Sequence, residues 1–382
     1  MSGACAACLR RGHLLGLLAP RVAAALASPG RRPSGLLAMG DEEMIAAVAG
    51  PGREAGQRFL ERFDAEDARA DAARRGVGTL CRHVTGYPSG LLELPDPPAV
   101  LFHTGSPDAL VALVRAPCVA IVGSRRPSSY GLEVARALGA GLARAGVTVV
   151  SGLALGIDAA AHRGALDAGG RSVAVLACGP DVPYPRTNLS LYGRLRGHGA
   201  VVSELPPGRG VYRWSFPARN RIMAGLAGVT VVVEAGEPSG SLITADFAAR
   251  LGRDVGAVPD LVTSWRAAGT NRLLRDGATV VRGPDDVLDA IFGAGGAPDD
   301  APRPGSAHGR RGLEATGRRV GAGIDDAERL VLDGIEAGEG LDAIGRATGL
   351  GAPAVRASLG RLEALGLVGR DGLGGYIRRL TA

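Results

Sequence analysis

Between Val119 and Phe292, seven short apolar segments alternate with connections long enough to hold a helix. They run Val119 to Val122, Val147 to Val150, Val173 to Ala177, Val201 to Ser203, Val229 to Val233, Val255 to Val258 and Thr279 to Val281. Most are apolar at consecutive rather than alternate positions, so both faces of each strand need cover. A parallel sheet with crossover helices on each side supplies it, and the fold class expected is α/β with an extended, Rossmann-like, mostly parallel sheet. In such sheets ligands gather beyond the carboxyl ends of the strands, near the point where strand order reverses.

The chain places its polar, glycine-rich residues at those ends. VAIVGSRRPSSYG brings Gly123, Ser124, Arg125, Arg126 and Ser128 to the junction between the first of these strands and a helix. Backbone N–H groups left facing outward there suit a phosphate, although one such turn can equally carry solvated arginines. The second strand leads through Ser151 and Gly152 into a helix bearing Asp158 and His162, four apart and so on one face. No nucleophile or third metal ligand accompanies that pair, so a helix-orienting contact between them is expected rather than acid–base chemistry.

The third strand ends in ACGPDVPYPRTN, a proline-held loop presenting Arg186 and Asn188. After the fourth, FPARNRIMAGLAG sets Arg219, Asn220 and Arg221 at a helix start beside Phe216, which reads as a cradle for phosphate and base. After the fifth, Ser239, Gly240 and Ser241 open another helix, with Thr244 one turn inside. Four junctions along one sheet edge thus offer phosphate contacts.

Charge agrees with this placement. Residues 119 to 293 hold 19 Arg against 14 acids, most of the excess behind a net charge of +6, whereas residues 323 to 382 hold 7 against 9. Every basic residue is Arg, whose planar fork grips phosphate and stacks on bases.

The flanks say less. Residues 1–75 read as a small helical domain, with helical spacing in Glu43 to Ala49 and Arg58 to Phe63. Arg10 and Arg11 before LLGLLAP faintly resemble a signal peptide, but Pro20 and Arg21 interrupt the run, and no membrane span is expected. Five cysteines without regular pairing fit a reduced, cytoplasmic protein. Cys5 and Cys8 form a CxxC, and His13, Cys81 and His83 are the residues that would complete a zinc set. Distant CxxC and CxH pairs are a weak signal, so no metal is expected and unpaired thiols near a loose terminus are preferred.

From Tyr87 a proline-punctuated passage leads to a lead-in strand, Val100 to His103, inside a Rossmann-like domain assigned to residues 76–293. Residues 294–322 read as a flexible linker. Residues 323–382 read as a winged-helix domain, with helices at Asp326 to Glu336, Leu341 to Thr348 and Ala352 to Leu365. A ribbon from Leu367 to Ile377 follows, bending at Gly372, Gly374 and Gly375. Such modules usually bind duplex DNA through the third helix, but the acidic balance here makes a protein-interaction or structural role an equal reading.

Taken in order, VAIVGSRRPSSYG, SGLALGIDAAAHRGAL, GPDVPYPRTN, FPARNRIMAGLA, VVVEAGEPSGSLITADFAARLGRDVGAVP and GTNRLLRDGA resemble the successive motifs of the DprA/Smf family of bacterial DNA-processing proteins, over about residues 87 to 282. The resemblance implies an extended Rossmann-type domain that binds and protects single-stranded DNA and loads the RecA recombinase during natural transformation. It also implies that Gly123 to Arg125, Arg219 to Arg221 and Ser239 to Ser241 line the DNA pocket. Leu155 stands where many members carry a basic residue, and Asp260 where the family has Gly.

A non-catalytic mediator with single-stranded DNA and RecA as partners, acting as a homodimer without a cofactor, is therefore the expected function. The alternative is a nucleotide-processing, phosphoribohydrolase-like enzyme, whose PGGxGTxxE loop would fall on Pro238 to Asp246. That loop is altered here, with Ser239 for Gly, no Gly-Thr pair and a shortened acid at Asp246. A simple dinucleotide fold lacks its GxGxxG after the first strand.

Overall fold

The computed structural model describes residues 3–26, 33–293, 325–336, 341–370 and 376–378. They fall into two compact units, one within Met1–Ala301 and one within Pro302–Ala382.

The first unit is built on nine strands: β1 (Gly78–Cys81), β2 (Val100–Gly105), β3 (Cys118–Val122), β4 (Thr148–Ser151), β5 (Ser172–Val175), β6 (Ala200–Ser203), β7 (Val229–Val232), β8 (Asp254–Ala257) and β9 (Thr279–Val280). Their order is β1-β2-β6-β5-β4-β3-β7-β8-β9. From β6 to β9 all neighbours are parallel, while β2 runs antiparallel to both β6 and β1. The seven strands expected from the sequence are all present, the lead-in strand extends to Gly105, and β1 is an addition.

The two faces of the sheet explain the apolar runs. Val119 and Ile121 of β3, Val149 of β4 and Val229 and Val231 of β7 face one core, together with Val134, Leu138 and Leu142 of the helix Ser129–Arg144. Val122, Val150 and Val232 face the other, with Ile222, Met223 and Leu226 of the helix Ser215–Leu226. Successive residues point to opposite faces, so a strand buried on both sides has to be apolar throughout. On the first face the helices Ser129–Arg144 and Ile157–Asp167 touch backbone to backbone. A Cβ on Gly139 would meet the Ala161 carbonyl, and one on Gly164 would meet that of Arg136.

The N-terminal helices pack onto this body. Leu14, Leu15, Leu18 and Val22 of the first helix, Ala6–Ala25, share a core with Met44, Ile45, Leu205, Trp214 and Ala218. The Trp214 indole N–H donates to the Ala19 carbonyl at 3.0 Å. The stretch resembling a signal peptide is thus the buried face of a packed helix, and among the described residues no helix is long and apolar enough to cross a membrane.

In the second unit the helices Asp326–Glu336, Leu341–Thr348 and Ala352–Ala364 precede two antiparallel strands, Val368–Arg370 and Tyr376–Arg378. Val331, Leu332, Ile344, Val355, Leu359 and Leu362 form its core. Asp325 and Glu328 cap the first of these helices reciprocally, each side chain accepting the other's backbone N–H at 2.7 Å. The expected linker, and the glycines at the bend of the ribbon, lie outside the described residues.

Candidate nucleic-acid interface

Strand order reverses between β3 and β7, because β4, β5 and β6 are laid down on one side of β3 and β8 and β9 on the far side of β7. A cavity of about 370 Å³ opens at the carboxyl ends of these two strands, where an open α/β sheet places its ligand. Of the residues expected in the site, Gly123, Ser124, Arg125, Phe216, Arg219, Asn220, Ser239, Gly240, Ser241 and Thr244 line it.

One wall is the loop after β3, held in place by Glu234. The Ser124 N–H donates to the Glu234 carbonyl at 2.7 Å, and the Ser128 N–H donates to its carboxylate at 3.0 and 3.1 Å. The Ser128 hydroxyl also donates to that carboxylate and accepts the Gly131 N–H at 3.1 Å, capping the next helix. Ser128 therefore shapes the wall from behind. Pinning leaves the exposed Arg125 guanidinium 5.1 Å from the centre of the Phe216 ring, in no salt bridge among the described residues, with the buried Asp158 carboxylate of the same cavity as its electrostatic neighbour. Tyr184 lies against the same ring at 5.9 Å. A free cation over an aromatic face suits a phosphate beside a base.

The opposite wall is the N-terminus of the helix Gly240–Arg250. Asn220 reaches across and donates to the Gly240 carbonyl at 3.0 Å. The Thr244 hydroxyl is fully buried one turn inside this helix and finds no partner among the described residues, while the helix end itself favours an anion. Trp265, 69% exposed, completes the rim, with the Arg266 guanidinium 4.8 Å from its ring centre. Sequence reasoning missed it. Its only signal is rarity, as one of two tryptophans in the chain.

Arg219 forms part of the floor. One guanidinium nitrogen donates to the carbonyls of Gly152 and Val175, both at 2.6 Å, while Nε is buried without a partner among the described residues. Burial pushes this guanidinium below the usual arginine range, and the nearby Asp158 opposes the shift. A Cβ at position 152 would fall on the Arg219 guanidinium, which is why glycine stands there. Gly152 lines a neighbouring cavity of about 90 Å³ that shares Arg125, Phe216 and Arg219 with the main one.

The remaining expected residues stand elsewhere. Arg221 is 1% exposed, paired with Asp96 at 2.9 Å and Glu204 at 2.8 Å. The expectation that it joins a phosphate track gives way to a buried ionic anchor, because both ends of its fork are already occupied by carboxylates. Arg126 and Arg186 are exposed but line neither cavity. Asn188 is buried and donates to the carbonyls of Leu153 and Ala154 at 3.0 and 3.3 Å, holding the loop after β4.

The expected contact between Asp158 and His162 is replaced by two others. Asp158 accepts the N–H groups of Gly152 and Ala154 at 3.1 and 3.3 Å, and His162 Nδ1 pairs with the Ser172 hydroxyl at 2.7 Å. Asp246, the acid a hydrolase would need, is paired with Arg250 at 3.0 Å and lies outside the cavity lining. Asp260 accepts the Leu261 N–H at 2.7 Å in the loop leading to Trp265. Ligating side chains close enough to share a metal ion lie away from this pocket, at the β1 edge.

Residues 78–292 match the family model of DNA recombination-mediator protein A, more than half of the chain. The chain belongs to this family. A DprA relative from Mycobacterium tuberculosis, described as a putative DNA processing protein, is 43% identical over 279 residues, covering 72% of this chain and 68% of its own length. The DNA processing protein DprA of Bacillus subtilis is 38% identical over 61% of this chain and 78% of its own. Among solved structures, DprA from Streptococcus pneumoniae superposes with a TM-score of 0.58 at 31% identity, covering 74% of this chain and 95% of that one. DprA from Helicobacter pylori, whose structure is described for its single-stranded DNA binding mode, gives 0.51 at 29% identity, over 56% of this chain and 95% of its own.

Proposed function

We propose that this protein is a non-catalytic mediator that binds single-stranded DNA in the β3/β7 pocket, protects it, and loads a RecA-type recombinase on it in the cytoplasm. The observation that carries the reading is the pairing of an exposed guanidinium with aromatic faces at one sheet edge: Arg125 over Phe216, with the N-terminus of the helix Gly240–Arg250 opposite and Trp265 at the rim. Stacking on aromatic faces suits single strands because their bases are unpaired, and it tolerates any sequence. The single-strand binding described for the Helicobacter pylori relative supports the same reading. Asp246, the acid that the hydrolase alternative would need, lies outside the pocket lining in an ion pair with Arg250, which favours the mediator over that alternative.

One pocket of this size holds only a few nucleotides, so its affinity alone is modest. Two pockets in a homodimer raise the effective concentration of strand and keep it bound while the recombinase docks. The C-terminal unit, three helices followed by a two-stranded ribbon, follows the element order of a winged helix and is assigned to protein contact or structural support rather than to the strand, in keeping with its acidic balance.

The test is the lag in RecA ATPase activity on DNA coated with single-strand-binding protein, with sedimentation of the protein alone. Shortening of the lag by a dimer is expected. No shortening with the cognate recombinase contradicts the mediator reading, and shortening by a strict monomer removes the two-pocket mechanism alone.

A further inference from the structure

At the β1 edge of the sheet, away from the DNA pocket, the Sγ atoms of Cys5, Cys8 and Cys81 and a ring nitrogen of His83 all lie within 4.8 Å of one another. His83 Nδ1 is 3.3 Å from Cys8 Sγ and 3.5 Å from Cys5 Sγ. Ligands on a tetrahedral zinc, with metal–sulfur bonds near 2.3 Å and metal–nitrogen bonds near 2.0 Å, stand roughly 3.4 to 3.8 Å apart. The donor spacing therefore encloses one ion of that size without rearranging the backbone, and atoms this close leave no room for a multi-iron cluster. We propose that Cys5, Cys8, Cys81 and His83 form a structural zinc site that staples the first helix to the edge strand β1.

The local structure brings the four together from two segments. Cys5 is the N-cap of the helix Ala6–Ala25, with no side-chain cap bond, and Cys8 lies in its first turn. Both residues thus lie at the start of that helix, on one side of the site. Cys81 ends β1, and His83 follows two residues later in the turn. The Cys5 N–H lies 3.4 Å from Cys81 Sγ, the kind of N–H to sulfur bond that orients a ligand from outside its metal shell. The Ala4 N–H donates to the Thr79 hydroxyl at 3.1 Å, fixing the same two segments beside the site.

Ala4, Leu9, Val77, Val100 and Phe102 wall the inner side, while His83 is exposed and Cys5 partly so, which gives an ion a way in. With four protein ligands there is no open coordination position, so the site is structural rather than catalytic. His13, the other histidine near this end, is not a ligand. Its ring packs 5.5 Å from both Phe63 and Phe102.

The full-length protein, purified under reducing conditions without chelator and then equilibrated with zinc, is assayed for bound metal by mass spectrometry. About one zinc per chain is expected. Replacement by cobalt(II) is expected to give a thiolate-to-metal charge-transfer band and the intense visible bands of a tetrahedral ion. Cys8→Ser and His83→Ala each lose the bulk of the bound metal, whereas Cys118→Ser and Cys178→Ser, at buried thiols outside the cluster, retain it. His83 is exposed, so its variant keeps the test valid if Cys8→Ser fails to fold. Reconstituted wild-type protein without stoichiometric zinc, cobalt bound without the charge-transfer band, or full zinc content in His83→Ala would each overturn the proposal.

Discussion

Arg125 and Arg221 show how far a residue's type carries and where it stops. Both stand in motifs rich in donors, and a sequence has no means of separating them. The folded chain leaves Arg125 free over Phe216 and encloses Arg221 between Asp96 and Glu204, which are 125 and 17 positions away. Burial is a property of the partners a residue meets, and these are distant in sequence. Burial lowers the proton affinity of the Arg221 guanidinium, but Glu204 and Asp96 outweigh it, so the group is held above its ordinary range. Removing one member of such a set leaves buried charge uncompensated, at a cost of about 3–5 kcal/mol. Arg221→Ala is therefore expected to lower the urea midpoint by a corresponding amount and to impair DNA binding only as far as it unfolds the protein. An unchanged midpoint with weakened binding would return Arg221 to the DNA surface.

At the scale of elements, the strands from β3 to β7 were legible because burial on both faces forces apolar runs, whereas β8 is buried only at its end and β9 is exposed. β1 was not legible, since Gly78–Cys81 is four residues long at a sheet edge and carries no pattern. Spacing of four placed Asp158 and His162 on one helical face correctly but could not choose their partners, which come from the loop after β4 and from β5. That choice has a consequence for acid stability. Burial holds His162 down at about 3 and His103 at about 4, against an ordinary value of 6.5. Below 6.5 the unfolded chain takes up protons that the folded chain refuses, so the stabilisation is complete above that value and is lost as pH falls toward the folded values. Each histidine contributes a slope of up to about 1.4 kcal/mol per pH unit in that window. Denaturant midpoints measured between about pH 6.5 and 4.5 should fall accordingly, less steeply in His162→Gln. Flat midpoints would show that these rings are not held neutral.

For the whole molecule, the α/β class and the grouping of glycine-rich turns at one sheet edge were readable from the sequence, whereas strand order and the site's rim were not. Trp265 comes to the pocket only because the loop after β8 folds back across the end of β7, a placement no local pattern encodes. The N-terminal helices read as a unit of their own, yet their apolar stripe is covered in part by Leu205, Trp214 and Ala218 of the sheet body. Charge is also divided at this scale, with the arginine excess around the sheet and an acid excess in residues 323 to 382. Deleting residues 310–382 is accordingly expected to leave single-strand affinity within a few-fold of the full chain. Loss of binding by a truncated protein that still gives the native circular dichroism of its α/β unit would make the C-terminal unit a principal DNA surface.

The central claim is that the β3/β7 pocket grips a single strand through Arg125, and it is tested most directly by titrating matched single-stranded and duplex oligonucleotides into wild-type protein and Arg125→Ala at several salt concentrations. Wild-type protein should prefer the single strand. The variant should bind it more weakly, with the slope of log K against log salt reduced by about 0.7 for the lost phosphate contact, and with an unchanged melting temperature. Equal affinity and equal slope for the two proteins, or a preference for duplex that Arg125→Ala leaves untouched, would contradict the account.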